Sequence, residues 1–84
     1  MYVVYIKRSA RRELLRLPPE VIRRVTVAID GLADQPRPPG VRKLVGSAST
    51  YRIRVGDYRV VYEIADKQRV VTVTRVRHRS DAYQ

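Results

Sequence analysis

The sequence predicts an α+β fold: an N-terminal strand, a two-helix hairpin, then a three-stranded antiparallel meander (β-α-α-β-β-β). Three observations predict it. The strand-forming run YVVYI opens the chain. Two segments of helical spacing come next, divided by Pro18-Pro19. Three strand-like runs, TYRIRV, YRVVYEI and RVVTVTRV, then come in succession, separated by Gly56-Asp57 and by Asp66-Lys67-Gln68. Connections this short join strands as hairpins.

Residues 2–6 read as a strand buried on both faces, because every position is apolar or aromatic. Ser9 is placed to cap the first helix, ARRELLRL. Leu14, Leu15 and Leu17 give that helix its apolar side, and Arg11, Arg12 and Arg16 face outward. Pro18 and Pro19 stop it, and Pro19 suits the first turn of the next helix. The second helix is expected from about Glu20 to Ala33, with Val21, Ile22, Val25, Ala28, Ile29 and Leu32 at helical spacing. QPRPPG, residues 35–40, is a loop. Leu44 and Val45 are expected to anchor the segment after it. RHRSDAYQ adds one helical turn beyond the last strand. Neither repeats nor linkers divide the chain, and 84 residues suit one domain, 1–84.

Strand alternation sorts the side chains. Tyr51, Ile53 and Val55 point one way, and Arg52 and Arg54 the other. Tyr58, Val60, Tyr62 and Ile64 point toward the helices, and Arg59, Val61 and Glu63 away. Unbroken alternation gives Arg77 the parity of Val71, Val73 and Arg75. By the same rule Tyr2, Tyr5, Tyr51, Tyr58 and Tyr62 read as core or hairpin residues. The sheet face left uncovered by helices is therefore expected to be basic, flat or concave.

Charge is the strongest compositional signal. Lys plus Arg number 18 against 8 Asp plus Glu, a net +10. Residues 1–36 hold seven basic and four acidic groups, net +3; residues 37–84 hold eleven and four, net +7. Fifteen of the 18 cations are Arg, which forks onto phosphate and stacks on bases. Genomic base composition explains Arg over Lys but not the excess or its asymmetry. Such a domain favours a polyanionic partner. The chain has no Cys, and His78 is its only histidine, so a His/Cys zinc site within one chain is excluded. MYVVYIKRSARREL has too short an apolar run for a secretory signal or membrane span. These features describe a soluble cytoplasmic protein that needs no metal or cofactor.

YRIRVGDYRVVYEI followed by VRHRSDAY, with SARRELLRLPPEV near the start, resembles the RelE/ParE superfamily of bacterial type II toxins. The resemblance covers nearly the whole chain. It implies the RelE-like fold, similar to that of small microbial RNases, and a RelE-like mRNA interferase that cleaves mRNA in the ribosomal A site. The motif of that branch has basic residues at the positions of Arg52 and Arg54, arginines at those of Arg59 and Arg77, and a C-terminal Tyr at that of Tyr83. These five are the implied catalytic residues. The best-known pattern has Lys where Arg52 and Arg54 stand.

Metal-free RNA cleavage uses the 2′-OH as nucleophile on the adjacent phosphate. Clustered guanidinium groups stabilise the phosphorane that forms. Deprotonating the hydroxyl is harder for Arg, whose pKa lies above about 12. Electrostatic activation of the 2′-OH therefore replaces a discrete base. Arg42, Lys43, Arg75 and Arg79 are placed to hold RNA phosphates, or form a solvated basic surface. His78, of the residue type that ordinarily titrates near neutrality, stands beside this set as an RNA-binding candidate or as a surface residue at a strand end. Tyr83 stacks on a splayed base, or packs at the C-terminus.

The resemblance also implies a cognate acidic antitoxin in a toxin–antitoxin hetero-oligomer, with ribosome and mRNA as further partners and no membrane. Two other functions remain open. ParE-like members share the fold but inhibit DNA gyrase without enzymatic activity. A basic RNA-binding module without turnover would carry the same charges.

Overall fold

A computed structural model describes residues 1–80. The chain forms β1 (Val3–Ile6), α1 (Arg8–Leu15), α2 (Pro19–Gly31), β2 (Arg42–Lys43), β3 (Thr50–Val55), β4 (Tyr58–Ala65) and β5 (Val70–His78). They build one five-stranded sheet in the order β1-β5-β4-β3-β2. β1 runs parallel to β5, with Val3 opposite Val70 and Ile6 opposite Val73. The other pairs are antiparallel. The α+β order expected from the sequence is present, with one addition. β2 extends the sheet past the meander by pairing Arg42 with Arg52 and Lys43 with Tyr51. Two residues are too few to leave a period in the sequence.

Both helices pack on one face of the sheet. Ala10 and Leu14 of α1, with Val25, Ile29 and Leu32 around α2, bury against Val60, Tyr62, Val71 and Val73. Covering one face only makes β1 half-exposed rather than buried on both sides: Val4 and Ile6 join the core, while Val3 and Tyr5 are exposed. Ser9 lies inside α1 and does not cap it. The Lys7 amide still bonds to Val73 O at 2.9 Å as β1 ends, so Lys7 itself is the N-cap and the helix begins at once. Pro19 does occupy the first turn of α2. Leu44 is half-buried, but Val45 is fully exposed and anchors nothing.

The β3–β4 hairpin closes through Gly56-Asp57, with Val55 opposite Tyr58. Gly56 has φ +60°, the positive value that primed two-residue turns require at this position. β5 contains an irregularity that alternation alone did not anticipate. Tyr62 pairs with Val73, but Val61 pairs with Arg75, which leaves Thr74 as an extra residue. The bulge reverses the parity of the residues beyond it. Val71, Val73 and Val76 are buried on the helix side, while Arg75 and Arg77 lie on the opposite face. Arg77 therefore does not share a face with Val71 and Val73.

A clasp ties the 35–40 loop to the sheet. Tyr62, fully buried, donates its hydroxyl to Pro36 O at 2.7 Å and stacks at 6.2 Å on Tyr51. Arg37 lies 5.0 Å over the Tyr51 ring and forks onto Asp66 at 3.2 and 2.9 Å. Tyr2 donates to the same carboxylate at 2.7 Å. These bonds from Arg37 and Tyr2 lower the Asp66 pKa, and burial pushes the Tyr62 phenol up to about 12. Among the described residues, no helix is long and apolar enough to cross a membrane.

Candidate functional site

The pairing registers assemble the arginines. Arg54 on β3 stands opposite Arg59 on β4, which stands opposite Arg77 on β5. Adjacent positions in such a row are about 5 Å apart at Cα. Two residues along the strands lies a second row: Arg42, Arg52, Val61 and Arg75. Both rows occupy the sheet face away from the helices, and like charges directly opposed across strands destabilise a sheet.

The central arginine departs from expectation. Arg59 faces away from the helices, yet it is only 5% exposed and is the one buried charged residue among those described. It occupies the middle strand, walled on both sides by Arg54 and Arg77, so it is not an open surface residue. Arg54 is exposed and Arg52 half-buried. Arg77 is intermediate, its side chain 34% exposed.

Glu13 compensates one end of the row. β1 ends opposite Val73, so β5 continues past it with an uncovered backbone edge. Glu13 of α1 fills that gap. Its Oε1 accepts the Val76 N–H at 2.9 Å, and its Oε2 accepts Arg77 Nε at 2.9 Å and lies 3.7 Å from Arg75 Nη1. Sequence reasoning passed over Glu13. Its signal was there: Ala10, Glu13, Leu14 and Leu17 sit at i, i+3, i+4, i+7, which puts a carboxylate on the buried stripe of α1.

The remaining candidates divide by face. Arg42, Lys43, Arg52 and Arg54 line a hollow of about 480 Å³ with Gly40, Leu44 and Val45. His78 pairs with Tyr58 and meets its ring edge-on at 5.2 Å, on the side away from Arg77. Its Nδ1 accepts the Ser80 N–H at 3.2 Å. His78 thus holds the turn after β5 and borders a second hollow of about 420 Å³ that Glu13, Arg16, Leu17 and Arg77 also line. The Arg79 amide donates to Asp57 O at 2.7 Å, and its exposed side chain lies 4.0 Å from the Asp57 carboxylate, which pins the hairpin tip. The structure thus brings Arg52, Arg54, Arg59, Arg77, Arg42 and Arg75 onto one face, with Lys43 at its edge, and turns His78 to the other face, where it shares a hollow with Arg77. Tyr83 and most of the expected C-terminal helical turn lie outside the described residues.

Comparison with known proteins places the chain in a family. The family model for the ParE toxin of type II toxin-antitoxin systems matches residues 4–83. The chain belongs to this family of type II toxins. Toxin RelG of Mycobacterium tuberculosis is 36% identical over 99% of this chain and 97% of its own length. Among solved structures, the archaeal RelE–RelB complex from Pyrococcus horikoshii matches with a TM-score of 0.84 and 34% identity, covering 96% of this chain and 98% of that one. The isolated RelE toxin of E. coli matches with a TM-score of 0.81 and 28% identity, covering 99% and 92%. The two-helix, five-stranded α+β architecture of this toxin is that of the RelE structures.

Proposed function

We propose that this toxin is a metal-independent, ribosome-dependent endoribonuclease that cleaves mRNA in the A site and so stops translation. The observation that carries the reading is the row Arg54–Arg59–Arg77 on three neighbouring strands. A phosphate over that row meets guanidinium groups at the spacing of the sheet itself. The 2′-oxygen of the preceding ribose bonds to phosphorus as the P–O5′ bond breaks. The 2′ proton leaves to solvent and the 5′-oxygen takes one up. The arginines stabilise the charge that builds on the phosphorane, and losing one such preorganised donor costs roughly 10²–10³ in rate. Arg42, Lys43, Arg52 and Arg75 hold flanking phosphates and set the register of the strand. Tyr83 stacks on the base beside the cut.

Residues 1–84 act as one unit in the cytoplasm, where ribosomes and mRNA are. The RelE of P. horikoshii was solved with its RelB, which supports an antitoxin partner here. The net charge of +10 supports an acidic antitoxin. Mapping mRNA ends on translating ribosomes tests the reading. Cleavage should leave 2′,3′-cyclic phosphate or 3′-phosphate ends; products with 3′-OH and 5′-phosphate would sink the mechanism.

The ParE name of the matching family model supports a second reading, inhibition of DNA gyrase. Pulse labelling separates the two. Protein synthesis should stop first, and DNA synthesis failing first would favour the gyrase reading.

A further inference from the structure

The geometry points to Glu13 as the positioning residue of the arginine row, fixing the guanidinium of Arg77 so that its two terminal nitrogens face the RNA phosphate. The inference rests on the endoribonuclease reading and adds a residue to it. One carboxylate engages three successive residues of β5: the backbone of Val76 and the side chains of Arg77 and Arg75. The contact to Arg77 is made through Nε at 2.9 Å. Nε lies on the inner side of the guanidinium plane, so its capture leaves the outer Nη1/Nη2 edge for the bidentate fork that matches phosphate. A long side chain at the end of a strand otherwise samples many rotamers, and holding a catalytic donor in one of them is worth more to the rate than to binding.

The carboxylate is itself held in place. Its Oε1 is bound to a main-chain N–H of the sheet, and α1 is anchored through Ala10 and Leu14, both buried. Glu13 therefore cannot swing out to solvent with Arg77. The Thr74 bulge completes the arrangement, because it turns Arg75 and Arg77 together onto the face where the row lies. Without it, their side chains would point toward the helices.

Glu13→Gln separates the two tasks. The Gln carbonyl still accepts the Val76 N–H, while its amide presents a donor to Arg77 Nε and repels it. In single-turnover cleavage of ribosome-bound mRNA, E13Q should cut about 10- to 100-fold more slowly than wild type. Its affinity for the complex should stay equal or rise, because one negative charge is gone. In an Arg77→Ala background E13Q should have no further effect on the rate, as expected when one residue acts through the other. Glu13→Asp keeps the charge but retracts it from both partners, so it should be slow as well, and it covers the case in which E13Q does not fold. Wild-type cleavage with E13Q or E13D at the wild-type rate overturns the inference alone. So does additivity of E13Q with Arg77→Ala. A wild-type protein that leaves ribosome-bound mRNA intact overturns the endoribonuclease reading and this inference with it.

Discussion

Arg59 and Arg77 occupy directly opposed positions on β4 and β5, and Arg59 is buried while Arg77 is held from the side by Glu13. Two like charges in register cost stability in a sheet. The Glu13 carboxylate at the sheet edge offsets part of that cost at Arg77.

The row should not respond uniformly to truncation. Arg54→Ala removes an exposed side chain, so the cleavage rate should fall roughly 10²–10³ with stability within about 0.5 kcal/mol of wild type. Arg59→Ala should lower the rate by a similar factor and also lower stability, because it empties a buried position. Denaturant titration beside a cleavage assay checks both. An Arg59→Ala protein as stable as Arg54→Ala would contradict the burial of Arg59.

Tyr62 joins the core to the 35–40 loop, and its two contributions can be separated. Tyr62→Phe removes the hydroxyl bonded to Pro36 O and should cost about 1 kcal/mol. Tyr62→Ala removes the buried ring as well and should cost about 3–5 kcal/mol. Chemical unfolding of the two variants should show that order, and equal losses would mean that the ring is not packed.

The clasp predicts two pH limits. The Tyr62 phenol is raised to about 12 by burial, so the folded state holds its proton more tightly than the unfolded chain does. Stability present below pH about 10 should therefore be lost as pH rises toward 12. Asp66 is shifted the other way, first by its bond from Arg37 and then by that from Tyr2. Its contribution is present above pH about 4 and lost as pH falls through its lowered pKa. Thermal melts across pH should decline at both ends. Asp66→Asn should weaken the acid decline and Tyr62→Phe the alkaline one.

Association with an acidic antitoxin should be steered by charge. The net +10 and its concentration beyond residue 36 predict an association rate that falls as salt is added, with a smaller change in dissociation. A stopped-flow series in salt measures both. An association rate flat with ionic strength would remove charge as the attraction.

The sequence by itself determined the element order apart from β2, the two hairpin turns, the helix-facing side of β3 and β4, and the cationic character of the opposite face. Those features depend on local period: strand alternation, helical spacing, and Gly or Pro at turns. It also held weaker signals, in the spacing of Val71, Val73 and Val76, which steps by two and then by three, and in Glu13 on an apolar stripe. What those signals meant was decided only by tertiary structure. A bulge becomes definite when β5 must pair with β4 while burying Val76. Glu13 acquires its partners only because α1 crosses the end of β1, where β5 is left without a neighbour. The burial of Arg59 likewise depends on which strands flank it, and that comes from contacts between residues distant along the chain.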